Sequence, residues 1–599
     1  MSINDATPPE ITADQHGPMD RLINSATKVD ALLGRLSRAM IGRKMHDPRV
    51  EAPDPSLFQK AAMAYWAHAM HHPFDALRQQ AEFWGSTALN MADTSVHAMT
   101  MKGHAHDASD ARFANAAWDA NPYLHMILQQ YRINADALSD AVASADNLDT
   151  KERQKLAYFA EQIVNLSAPN NFLPTNPDAF ERAIETEGQS LIQGLENLVE
   201  DLEASDGDLL VRLADEAAFK VGDNIATTPG DVVYRNHMME LIQYAPATDE
   251  VHETPIVLFP PWINKFYILD LKEKNSLIKW ITEQGYTLFV ASWINPDETY
   301  ADTGLEDYIE DGYLTAIREA KAICSVKQVN AVGYCIAGTT LSLTLALLKR
   351  RGDRSVKSAT FFTTLTDFSD QGEFTPFLQD DFIDGIEGEV DRAGILDARI
   401  LARTFSFLRS KDLVYGPAIR NYMLGETPPA FDLLYWNGDS TNLPGKMAMQ
   451  YLRGICQGNG FAEGTIELLG ETLNLRDVDI PLMAIACETD HIAAWKDCYR
   501  GVQKMGSAKK TFVVSESGHI AGIVNPSSKK KYGHYTNPDW NAAPDDWLEK
   551  ADYTEGSWWP TWNAWLKPQS GKLVPARVPG DAYNPSLGPA PGQYVTVKA

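Results

Sequence analysis

Cys335 stands in "VNAVGYCIAGTT", where a β-prone run enters Gly333-Tyr334-Cys335 and an uncharged helical pattern leaves Ile336 toward Leu348. That is the layout of a sharp strand-to-helix turn that presents a nucleophile, usually written G-x-S-x-G. Here a thiol replaces the serine hydroxyl, and the last glycine of the box is Ala337. A thiol nucleophile needs a base, and the base needs an orienting carboxylate. Downstream, "PLMAIAC" ends in the loop "ETDHIAAW", which offers Asp490, and "TFVVS" ends in "ESGHIAGI", which offers His519. Both loops follow the C-terminal ends of strands, where parallel sheets place their chemistry.

Each candidate has a competitor. A lone cysteine is often an inert core residue, but the elbow setting favours Cys335 as nucleophile, with a neighbouring histidine and a helix N-terminus both favouring the thiolate. Cys324, Cys456, Cys487 and Cys498 have no such setting and read as packing residues. His491 follows Asp490 directly, so the two side chains diverge, and it reads as a structural or pocket histidine. His534 follows a basic run and reads as surface. His519 is the best-placed base, and Asp490 competes with Glu488 for the acid. A developing oxyanion needs backbone donors. The N–H of Ile336 is one, and the loop after "PIVLF" offers that of Trp262 or Ile263, unless Pro260 and Pro261 merely stiffen a turn.

The elements that must hold these residues are visible in the patterning. After about residue 220, short apolar runs ("TPIVLFPP", "YTLFVASW", "VNAVGY", "SATFFTTL", "IPLMAIAC", "KTFVVS") alternate with amphipathic helices. This predicts an α/β domain with a mostly parallel sheet covered on both faces. With the elbow and the chain order nucleophile, acid, base, it is an α/β-hydrolase fold over 221–599. A long aromatic insertion over about 370–451 suits a cap that excludes water from Cys335, and the last residues read as an extended tail. Residues 56–220 read as a helical N-terminal domain, and 1–55 as a flexible lead-in with one helical patch.

A net charge of -27 argues against a nucleic-acid partner. Five cysteines in 599 residues make no disulfide framework and suit a reducing cytoplasm. The polar N-terminus has no signal-peptide core. The uncharged stretch Ala331–Leu348 approaches the length of a membrane span, but its glycines and its strand-like start make it strand, elbow and buried helix. No transmembrane segment, cofactor or metal is expected.

From about residue 110 onward the chain resembles the class I polyhydroxyalkanoate synthases. The stretches that carry the likeness include "RFANAAWDANPYLHMI", "SAPNNFLPTNPDAF", "VVYRNHMMELIQYAP", "PPWINKFYILDL", "GYCIAGTTL", "TTLTDFSDQGEF", "FDLLYWNGDSTNLPG", "SGHIAGIVNP" and "GSWWPTWNAWL". The resemblance implies polymerisation of (R)-3-hydroxyacyl-CoA, with 3-hydroxybutyryl-CoA the expected substrate, and release of coenzyme A. It implies Cys335 as nucleophile, Asp490 and His519 as its partners, and Trp436 as part of a cap and dimer region. It also implies a homodimer associated with cytoplasmic polyester granules and their associated proteins. Coenzyme A phosphates need a local basic site on this acidic chain, and the candidates are Lys529, Lys530 and Lys531 in "SSKKKYGH" and Arg409 in "FLRSKD". The competing readings are a cysteine-dependent polyester depolymerase or acyl-CoA thioesterase on the same fold, and a non-catalytic granule-coat protein.

Overall fold

The computed structural model describes residues 18–51, 55–100, 109–145 and 148–599, and helices come first. They include α1 (Pro18–Ile41), α2 (Pro55–His71), α3 (Pro73–Thr100), α4 (Pro122–Ala143), α5 (Thr150–Leu166) and α6 (Gln189–Ala204). Several starts follow from local chemistry. The Asn121 side chain accepts the N–H groups of Tyr123 and Leu124, with Pro122 at the first helical position. Asp149 and Glu152 form a reciprocal capping box at α5. Each arrangement satisfies donors that a helix N-terminus leaves without partners.

The helical patch expected within the 1–55 lead-in forms α1; residues 1–17 and 52–54 lie outside the described residues. Helix α1 lies along α6 and buries Leu32. On the flank, Lys28 pairs with Glu196 at 2.7 Å and Arg35 with Glu203 at 2.6 Å. Such half-exposed pairs add little, so the apolar stripe carries the contact. Past α1, His46 is buried with Nε2 2.7 Å from Asp208 and Nδ1 3.5 Å from Glu389. Val50 then joins the main core.

A ten-stranded sheet follows, formed by β1 (Gly230–Arg235), β2 (Met239–Tyr244), β3 (Ile256–Phe259), β4 (Leu288–Trp293), β5 (Val329–Tyr334), β6 (Val356–Phe362), β7 (Leu482–Cys487), β8 (Lys510–Ser515), β9 (His534–Thr536) and β10 (Asp552–Thr554). The spatial order is β1-β2-β4-β3-β5-β6-β7-β8-β9-β10. The six strands from β4 to β8 pair in parallel, and the outer pairs are antiparallel. Strands β3, β4, β5 and β7 are buried along their whole length, which explains why they read as unbroken apolar runs rather than alternating ones. The C-terminal tail shields the outer edge at β1, where Val232 exchanges backbone bonds with Leu587 and Gly588. Among the described residues, no helix is long and apolar enough to cross a membrane.

Helix α7 (Ile336–Arg350) leaves the elbow and is buried over most of its length. Between β6 and β7 the chain inserts residues 363–481, including α8 (Asp380–Ala393) and α9 (Ala398–Leu408). The insertion covers Cys335, and it runs past residue 451, since Leu452 and Cys456 also line the cavity over the thiol.

Strand β5 and helix α7 meet through Gly333 and Gly338. A Cβ on Gly333 would lie 2.6 Å from the Gly338 Cα, and one on Gly338 would lie 2.0 Å from the Thr364 Oγ1. The close-approach glycine therefore sits one residue after Ala337, whose methyl is fully buried. Gly333→Ala, which meets backbone, should cost about 1–3 kcal/mol in urea unfolding and should not be rescued by Thr364→Ala. Gly338→Ala should be partly rescued by that change. Wild-type stability in both single variants would show that the contact is slack.

Candidate active site

The turn at Cys335 has φ 55° and ψ -127°, a left-handed backbone that non-glycine residues seldom adopt. It is pinned from both sides: the Cys335 N–H donates to the Phe362 carbonyl at 2.8 Å, and the Gly338 N–H donates to the Cys335 carbonyl at 2.9 Å. Cys335 is half-buried, whereas Cys324, Cys456, Cys487 and Cys498 are buried. Burial pushes the Cys324 thiol up to about 12 and the other three upward as well, which leaves them poor nucleophiles at neutral pH.

The loops after β7 and β8 bring Asp490 and His519 together. His519 Nδ1 lies 2.7 Å from Asp490 Oδ2, while Asp490 Oδ1 accepts the N–H groups of Ile492 and Ala493 at 2.8 and 2.9 Å. The carboxylate is thus fixed at both oxygens. With Nδ1 so engaged, Nε2 is left for the Cys335 sulfur, with which His519 also interacts. Burial pulls the imidazole pKa down, but the Asp490 carboxylate, Cys335 and their hydrogen bonds outweigh it and hold it up at about 10. A histidine raised in this way favours the imidazolium, the partner with which a Cys–His pair supplies thiolate. Tyr334 steadies the same ring: its hydroxyl donates to the His519 carbonyl at 3.2 Å, and the two rings stack at 5.8 Å.

The competing residues fall elsewhere. Glu488 is exposed. His491 lies beside the site, its pKa lowered to about 4 by burial and by the Arg409 cation, so it stays neutral. His534 is buried in β9 rather than on the surface, with Nδ1 3.0 Å from the Gly556 carbonyl and Nε2 2.9 Å from Thr561 Oγ1.

The cavity over Cys335 measures about 150 Å³ and is almost wholly apolar, with Phe374, Phe382, Phe405, Tyr451 and Leu452 from the insertion in its wall. Ile336, at the first position of α7, and Ile263, in the loop after β3, both line it. The neighbouring Trp262 is anchored by its indole N–H on Thr340 Oγ1 at 3.2 Å. Tyr334 and Thr363 are residues of the site to which the sequence assigns no role. Thr363 lines the cavity at φ 40°, and its buried hydroxyl has no partner among the described residues. Nothing local marks either residue, because each acquires its place from the elbow's geometry.

Among the basic candidates, Arg409 ends α9 and faces Glu373 at 3.6 Å, close enough to the site for its charge to act on His491. Lys529, Lys530 and Lys531 lie on an exposed turn, with Lys531 Nζ 4.6 Å from the Tyr532 ring centre, and none of them lines the cavity. Among the described residues, no cluster of ligating side chains could hold a metal ion.

Comparison with known proteins bears on this geometry. Residues 109–281 match the family described as Poly-beta-hydroxybutyrate polymerase (PhaC) N-terminus, and 254–526, which contain all three site residues, match the alpha/beta hydrolase fold. The chain is 41% identical to the poly(3-hydroxyalkanoate) polymerase of Methylorubrum extorquens, over 87% of this chain and 85% of that one. It is 39% identical to the poly(3-hydroxyalkanoate) polymerase subunit PhaC of Rhizobium meliloti, over 86% and 84% of the two chains. For the same-named subunit of Cupriavidus necator the identity is 40%, over 82% and 83%. The chain belongs to the poly(3-hydroxyalkanoate) polymerase family.

Proposed function

We propose that this chain, as a homodimer on cytoplasmic polyester granules, polymerises (R)-3-hydroxyacyl-CoA, chiefly 3-hydroxybutyryl-CoA, through a thioester on Cys335. The observation that carries this reading is the Cys335–His519–Asp490 array opening into a capped apolar cavity. In loading, the Cys335 sulfur attacks the thioester carbonyl, the bond to coenzyme A breaks, and the departing thiolate takes a proton from His519. The N–H groups of Ile336 and Ile263 are the donors for the tetrahedral oxyanion. In elongation, the 3-hydroxyl of a second acyl-CoA attacks the Cys335 thioester, and its proton passes to His519. The C–S bond breaks and the chain moves onto the incoming unit as an ester. Cys335 then takes the lengthened chain back from its coenzyme A, releasing the second thiol.

Sulfur suits this cycle energetically. The Cys335 thioester lies close in energy to the acyl-CoA that forms it, so loading is nearly balanced. The oxygen ester made in elongation lies lower and drives the cycle forward. A serine would hold the acyl group at ester level and remove that drive. Asp490 aligns the imidazole in both steps. The apolar wall around the thiol favours acyl transfer over hydrolysis, since water finds few partners there.

Two further features fit. Helices α2 and α3 expose Phe58, Trp66, Met70, Phe74 and Trp84, an apolar display suited to a polyester surface. Arg409 stands near the site and Lys529–Lys531 farther out, and both serve the coenzyme A phosphates.

With (R)-3-hydroxybutyryl-CoA, the protein should release coenzyme A together with insoluble polymer; free hydroxy acid without polymer would mark a thioesterase instead. Cys335→Ser should load only traces and elongate poorly. In single-turnover labelling, His519→Gln should fail to load, whereas Asp490→Asn should load slowly and elongate at least tenfold more slowly than wild type. Complete failure of Asp490→Asn to load would make the carboxylate essential in the first step as well.

Arg409→Gln, and Lys529→Gln with Lys530→Gln and Lys531→Gln, should each raise KM for acyl-CoA several-fold in a salt-sensitive manner. An acyl-pantetheine, which lacks the nucleotide phosphates, should be nearly unaffected, and equal losses on both substrates would remove the phosphate role. Trp66→Ser with Trp84→Ser should weaken sedimentation with polyhydroxybutyrate granules while leaving soluble turnover intact. Undiminished binding would place the granule contact elsewhere.

A further inference from the structure

Helix α9 is a wall between two cavities. Leu401, Thr404 and Phe405, on one face, line the cavity of about 150 Å³ over Cys335. Ala402, Arg403, Ser406 and Phe407, on the other, line a cavity of about 940 Å³ that α1, α6 and residues 207–214 close from the far side. The alternation follows from helical spacing, which sets residues three and four apart on one face. Ile400 borders both cavities.

The larger space has a definite chemical character. Five basic side chains line it (Arg43, Arg212, Arg399, Arg403 and Lys598), against Asp201, Asp208, Glu216 and Asp439. Most of the charge is already spent within the protein: Arg43 is paired with Asp208 at 3.0 Å, Arg399 with Asp206 at 2.7 Å and Lys598 with Glu216 at 3.1 Å, and Arg212 is paired with Asp201. A nearly balanced wall does not concentrate a polyanion such as coenzyme A. The rest of the lining is largely aliphatic, including Leu36, Met40, Leu198, Leu210 and Leu413. An uncharged chain rich in ester and methyl groups matches such a wall.

The small cavity creates the need for the large one. At about 150 Å³ it holds on the order of ten waters, enough for a unit or two of hydroxyacyl chain. A chain tethered to Cys335 grows by one unit per cycle and must leave this space early. The neighbouring cavity is about six times larger and is separated from this one by the buried Ile400 side chain.

We propose that the cavity between α1, α6 and α9 is a binding site for the growing polyester, reached when the chain lengthening on Cys335 displaces the Ile400 side chain, which is buried between the two cavities. The inference rests on the polymerase reading above and assigns the lead-in helix a part in elongation. The test is Ala402→Trp, which fills the larger cavity from the face of α9 turned away from the thiol. Loading of the first labelled unit on Cys335 should proceed at the wild-type rate, which also shows that the variant is folded. Coenzyme A release beyond the first few units should fall at least tenfold, with a matching loss of polymer length. Wild-type polymer length, or equal losses in loading and elongation, would overturn the proposal. Failure of the wild-type protein to make polymer would instead overturn the functional reading itself. Should Ala402→Trp fail to load, Ala402→Cys decides. Its introduced thiol, quantified by mass spectrometry, should react with a neutral maleimide in free enzyme and when Cys335 carries one unit, but be protected when it carries a long chain. Equal alkylation at all three stages would overturn the proposal.

Discussion

The left-handed backbone at Cys335 is the constraint on which the rest of the site depends. Holding a non-glycine residue at φ 55° costs on the order of 1–3 kcal/mol, so the surroundings must over-determine it. They do so through the Phe362 carbonyl, the Gly338 N–H and the absence of a Cβ at Gly333 and Gly338. The same turn starts α7 directly after the nucleophile, which puts the Ile336 N–H at a helix N-terminus beside the sulfur. Relaxing the turn would lower the local strain and move the thiol away from His519.

Around the elbow, charge and burial are balanced against each other. Asp490 and His519 are both buried, and a buried charge without its partner is expensive. The Ile492 and Ala493 N–H groups hold one carboxylate oxygen and His519 holds the other, so neither charge stands alone. The insertion over the sheet completes this arrangement by keeping water from the thiol, which strengthens the electrostatics beneath it. The helical N-terminal region is bound to the insertion through His46, Glu389 and Val50, so the cap rests on the lead-in as well as on the sheet.

Much of this was legible in the sequence because it is written locally. The elbow is six consecutive residues, and the acid and base each follow an apolar strand, so motif and spacing suffice. What escaped is what depends on distant partners. The helical patch within 1–55 is legible and forms α1, but the surfaces that anchor the segment 18–51, α6, Asp208 and Glu389, lie far away in the chain. His534 reads as exposed because Lys529–Lys531 precede it, yet it sits in a short strand held between β8 and β10. The insertion's reach to Cys456 was hidden because its apolar residues follow no single period. The proximity of Arg409 to His491 is likewise a product of folding, whereas the lysine run stands out in sequence and lies apart from the cavity.

Acyl transfer to one sulfur underlies the whole cycle, and the site of covalent attachment tests it most directly. Enzyme quenched within one turnover of labelled (R)-3-hydroxybutyryl-CoA can be digested and mapped by mass spectrometry. The label should sit on the peptide containing Cys335 as a hydroxylamine-sensitive thioester, and it should be absent from Cys335→Ala. Label on Cys324, Cys456, Cys487 or Cys498, or undiminished labelling in Cys335→Ala, would rule out Cys335 as the acyl carrier.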